Sequence, residues 1–115
     1  MLVSELQTSD TVELPELVDE LMADLPNHPA GRTARTVLSG TVLRAVVVAL
    51  ADGIEMAEHD SPPGASLQVL RGEVTLRAGD RSWTLSAGQL AHVPPQRHAV
   101  RAHTDSAFLL TVALR

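Results

Sequence analysis

Residues 53–59 read G-I-E-M-A-E-H, and residues 88–98 read G-Q-L-A-H-V-P-P-Q-R-H. Each block opens on a glycine and reaches a histidine. Between them lie short β-like runs. Leu67 to Leu70 is one; Val74 and Leu76 alternate with Thr75 and Arg77, and Trp83 and Leu85 alternate with Ser82 and Thr84. Ala78-Gly79-Asp80 turns the chain between the last two, which predicts a hairpin. Short strands every 8 to 12 residues or so, punctuated by glycine, point to an all-β sandwich or barrel. Closing such a sheet would bring His59 and His98 together, although they are distant in sequence.

Working outward toward the C-terminus, Ser86-Ala87-Gly88 is a turn, Leu90 to Val93 a strand and Pro94 to Arg97 a loop. Val100 with its neighbours and Ala107 to Ala113 complete the set. Asp60 to Gly64, with Pro62-Pro63, is a loop, and Ala51-Asp52-Gly53 a turn. Thr41 to Leu50 (T-V-L-R-A-V-V-V-A-L) is a long strand rich in β-branched residues. It does not alternate after Arg44, so both of its faces need cover. The barrel interior supplies one cover, and an acidic helix or a second subunit the other. A homodimer with this strand near the interface is the expected assembly. Light scattering that found a monomer at high concentration would overturn it.

Thr36 to Leu38 reads as a short strand, with surface roles for Arg32 and Arg35 and a solvated His28 in the turn before them. Leu14, Leu17, Val18, Leu21, Met22 and Leu25 recur at helical spacing. Pro15 suits the first turn of that helix, Glu16, Asp19 and Glu20 suit its positive end, and Pro26 stops it. Residues 1–12 read as an arm or edge strand. The organisation expected is one domain: residues 1–30 form an arm and helix packed on a barrel of residues 31–115.

Composition narrows the chemistry. The chain has 115 residues, 44% of them hydrophobic, which is enough for one packed core. Cysteine is absent, removing disulfides and thiolate chemistry, and all nine basic residues are arginines, so lysine Schiff bases are excluded too. The net charge is −5, and the first 31 residues hold seven acids with no arginine. An acidic arm and only one Trp, one Phe and no Tyr argue against a nucleic-acid partner. The longest apolar run, Ala45 to Ala51, is far short of the ~20 residues that span a bilayer. Met1-Leu2-Val3 leads into acids rather than a basic signal region, so a soluble, cytoplasmic protein without membrane contact is expected. No serine has a nucleophile-elbow context.

These residues resemble the cupin superfamily, specifically its small single-domain bacterial members. The family's first motif is G-x5-H-x-H-x3,4-E-x6-G and its second G-x5-P-x-G-x2-H-x3-N. Here Gly53 is followed after five residues by His59, and Gly72 closes the first motif. Gly88 is followed after five residues by Pro94, with His98 shortly after. V-L-R-G-E-V-T-L, D-S-A-F-L-L-T-V-A and G-R-T-A-R-T-V-L are also similar to stretches of small cupins. The resemblance spans about residues 31–114. It implies a double-sheet jelly-roll barrel with a short N-terminal helix.

The resemblance also implies a metal site of three histidines and one glutamate. The positions of the second histidine and the glutamate fall here on Ser61 and Ala65, Gln96 replaces a glycine, and Ala102 the asparagine. His59 and His98 remain. They imply a site for one divalent transition metal (Fe, Mn, Ni or Zn) or for none, with His92 or an acid among Glu55, Glu58 and Asp60 as the third donor. A metal would serve oxygenase or isomerase chemistry on a small oxygenated metabolite. Without one, Ala65, Leu67, Val69 and Trp83 would line an apolar pocket for a small molecule, with both histidines as hydrogen-bonding groups. A structural dimer with a vestigial pocket is the third reading.

Overall fold

A computed structural model describes residues 11–59 and 63–114, with Glu58 and His59 described by their backbone. Helix α1 (Leu14–Asp24) forms where the apolar spacing predicts it and buries Leu17, Val18 and Leu21. Pro26 follows inside a single 3-10 turn, Leu25–Asn27, because proline cannot continue the α-helical hydrogen bonding. Asn27 and His28 hydrogen-bond the Asp24 carboxylate at 3.0 and 2.8 Å. The Asn27 bond, then the His28 bond, holds this exposed carboxyl below its ordinary pKa. His28 is thus paired with Asp24 as well as partly solvated.

Nine strands follow: β1 (Arg32–Ser39), β2 (Leu43–Leu50), β3 (Glu55–His59), β4 (Ala65–Arg71), β5 (Glu73–Ala78), β6 (Arg81–Ser86), β7 (Leu90–His92), β8 (His98–Ala102) and β9 (Ser106–Ala113). They make two antiparallel sheets, a five-stranded one in the order β1-β2-β9-β4-β7 and a four-stranded one in the order β3-β8-β5-β6. The predicted hairpin is β5–β6, with Val74 opposite Leu85 and Leu76 opposite Trp83. Two elements differ from the sequence reading. β1 begins at Arg32 rather than Thr36, since its whole length pairs with β2. E-M-A-E-H, which has weak strand propensity, becomes β3 because β8 supplies its partner.

β2 is buried on both faces, as its unbroken apolar run requires. Val48 and Leu50 join the core between the sheets, whereas Val47 and Ala49 pack under Leu17, Val18, Leu21 and Leu25 of the helical segment. The helix is therefore the second cover. It is tied down at its rim by ion pairs of Asp19 with Arg71 and Glu20 with Arg35. Both pairs are exposed, so each contributes at most ~1 kcal/mol. The apolar seam dominates, at about 1.5–3 kcal/mol per buried side chain. Among the described residues no helix is long and apolar enough to cross a membrane.

The interior is filled at one end and opens toward the other. Along the inward face of β2, Leu50 and Val48 are buried, Val46 is half-buried and Arg44 is exposed. β9 repeats the gradient, from buried Phe108 to half-buried Leu110 and Val112.

Candidate functional site

The open end is where the two motif histidines, His59 and His98, meet. The closed end is fixed by hydrogen bonds of Gly53 N–H to Ala102 O and of Ala102 N–H to Ile54 O, both 2.9 Å, beside the end of β2. β8 runs from there back to His98, at the same end as Arg44. The Val93 N–H bonds Ala65 O at 2.9 Å and brings the end of β7 to the same rim.

His59 and His98 meet in register. Met56 pairs with Val100, and a regular ladder would then set Glu58 opposite His98. A bulge between Met56 and His59 adds one residue, so His59 takes that position. The bulge thus decides which residue faces His98 across the ladder.

His98 faces inward, opposite Ala78 and in line with buried Val100 and Ala102. It is 3% exposed. Its Nδ1 donates to the Gln96 carbonyl at 3.1 Å, which assigns the neutral ring the tautomer with the lone pair on Nε2. The two histidines expected to come together do so at the backbone.

The other expected residues are placed differently. His92 pairs with Ser66 on the outer face of the five-stranded sheet, while Ala91 turns toward the core. Strand alternation puts that imidazole on the far side of β7 from His98. Leu67 and Val69 face inward as alternation predicts, but both are 0% exposed and belong to the packed core. Ala65, nearer the rim, is 8% exposed. Trp83 sits on edge strand β6, 37% exposed, where the Arg81 guanidinium lies 5.1 Å from its ring centroid. Its register opposite Leu76 puts it on the inward face at that edge, where it lines a groove with Leu90 and His92.

Glu55 lies on the outer face and contacts Arg77 at 3.5 Å, so it is turned from His98. Ser61 and Asp60 lie outside the described residues, as does the side chain of Glu58. His103 is exposed and hydrogen-bonds the Thr75 hydroxyl. Among the described residues no three His, Asp or Glu side chains are grouped to hold a metal ion. Two imidazoles fall short of the three or four protein donors of ordinary zinc sites, and Ala65 supplies no carboxylate. The side chains of His59, Glu58 and Asp60, the other candidate donors, lie outside the described residues.

Arg44 is the rim residue that the sequence reading passed over. It was visible only as the point where alternation stops. Its inward register, opposite Ser39 and Val112, puts a cation at the mouth.

Two antiparallel sheets closed round one apolar interior, with β9 returning between β2 and β4, define a jelly-roll barrel. No protein-family model and no curated protein matches the chain. Solved structures do. A conserved protein of unknown function from Streptococcus pyogenes is 25% identical with a TM-score of 0.69, covering 76% of this chain and 78% of that one. A cupin-2 domain containing protein from Shewanella frigidimarina is 13% identical with a TM-score of 0.70, covering 91% and 96%. KdgF from a Halomonas species is 21% identical with a TM-score of 0.66, covering 74% and 80%. The described residues have the cupin fold.

Proposed function

We propose that this protein is a metal-free cupin that binds a small molecule at the histidine end of its barrel. The observation that carries the reading is Ala65 standing at the rim in the carboxylate position, with His92 facing away from His98. Half-buried Val46, Leu110 and Val112 give the ligand an apolar bed. His98 and Arg44 supply polar anchors. A few polar groups in an apolar concavity are the usual composition of such sites. The reading keeps the homodimer as its assembly, supported by exposed Leu38, Val42 and Leu43 in the β1–β2 hairpin.

The test is elemental analysis of protein purified without a metal-affinity tag, beside a His59→Ala/His98→Ala variant. Both are incubated with iron, manganese, nickel and zinc and then desalted. Neither should retain stoichiometric metal. Near-stoichiometric metal in the parent and none in the variant overturns the reading in favour of a two-histidine metal site. One observation supports that second reading: a carbonyl-anchored Nδ1–H, as His98 has, also orients metal-binding imidazoles.

A further inference from the structure

The two sheets are unequal. The five-stranded sheet extends to β1, whereas the four-stranded sheet ends at β3. β2 is covered on its inward face, but the same face of β1 is not: Arg32, Ala34 and Thr36 are all exposed. A cleft of about 340 Å³ remains along that seam, lined by Arg32, Thr33, Ala34, Val48 and Met56. Its volume falls within the range of small-molecule sites, roughly 300–1,000 Å³.

Its chemistry is one-sided. Ala34, Val48 and Met56 make the walls apolar, and Arg32 is the single charged residue lining it. Among the described residues no carboxylate forms an ion pair with Arg32, while Arg35, Arg71 and Arg77 each have one. Arg32 is also held in place by its backbone. The preceding Gly31 accepts a hydrogen bond from Ala51 N–H at 2.8 Å, and Arg32 pairs with Leu50 on the inward face.

We infer that this seam cleft is a second binding site, taking a small apolar carboxylate. The hydrocarbon body lies on Ala34, Val48 and Met56, and the carboxylate meets the Arg32 guanidinium, a geometry that allows two charge-assisted hydrogen bonds. An extended peptide added to β3 is the competing occupant. It is disfavoured because β3 has five residues and carries the bulge between Met56 and His59, and bulges blunt edge pairing.

The test is calorimetric titration of octanoate, with 1-octanol as its uncharged counterpart, into the parent and three variants. Arg32→Gln should weaken octanoate about tenfold and leave octanol unchanged. Ala34→Trp, a substitution at an exposed position, should abolish both by filling the cleft. His98→Ala removes an anchor of the barrel mouth and so separates the two places. Octanoate affinity that follows His98 rather than Arg32 would overturn the inference while supporting a ligand site at the mouth. Failure of octanoate to bind the parent at millimolar concentration, with or without binding of a strand-forming peptide, would also overturn it.

Discussion

Replacing Phe108 with alanine should lower the unfolding free energy by about 3–5 kcal/mol. The ring is 0% exposed and sits in the middle of the five-stranded sheet, opposite Val48 on one side and Val69 on the other. Its neighbours Leu50, Leu67, Val69 and Leu76 are themselves fully buried. They are held by two hydrogen-bonded sheets and cannot collapse far into the space left behind. A domain of this size is stable by only ~5–15 kcal/mol, so the variant should populate unfolded forms at modest urea concentrations. Urea titration should show a lower midpoint with an unchanged slope. A loss below ~1 kcal/mol would contradict the filled interior.

Gly72→Ala is the second large effect, and it acts through the backbone. Gly72 has φ +82°, and a Cβ there would press on the Ser106 hydroxyl and lie 2.7 Å from Asp105 O and 2.9 Å from Ser106 Cα. The left-handed conformation alone costs a side chain about 1–2 kcal/mol. The collision adds to it, because Ser106 cannot move freely. Its hydroxyl accepts from Glu73 N–H at 3.0 Å and lies 2.7 Å from Thr104 O. The expected total is about 3 kcal/mol or more. Gly53→Ala is the control, since Gly53 has φ +81° with nothing within 4 Å. It should lose only the conformational part, roughly 1–2 kcal/mol. Equal losses in the two variants would show that the contact with Ser106 yields at no cost.

The same glycine shows why the fold was legible. Gly72 was marked by its place at the close of a motif, and the structure supplies the reason as a left-handed turn against Ser106. The β5–β6 hairpin was equally plain, because Val74, Leu76, Trp83 and Leu85 alternate and a glycine turn lies between them. β2 announced its two covered faces by failing to alternate. β3 was hidden, since E-M-A-E-H carries only weak strand propensity and acquires its conformation from β8.

The site was less legible, because it depends on register and on pairing between sheets. Nothing in residues 53–59 shows a bulge, yet the bulge chooses His59 over Glu58 as the residue opposite His98. His92 stood in the sequence as a possible third donor beside His59 and His98. Strand parity puts His92 and His98 on different faces, and parity could be counted only from where β7 starts. Arg32 was assigned to the surface. Its role depends on the four-stranded sheet ending one strand early, a mismatch that no local pattern records.

The placement of β9 also bears on how the protein is made. It is synthesised after the other eight strands, yet it lies between β2 and β4 and pairs residues as far apart in sequence as Leu43 and Ala113. Until β9 emerges from the ribosome, V-V-V-A-L of β2 has neither its central neighbour nor a finished seat for the helix. The growing chain must therefore carry that run without its central partner while β3 to β8 are made. Closure is dominated by distant contacts, the kind that fold slowly.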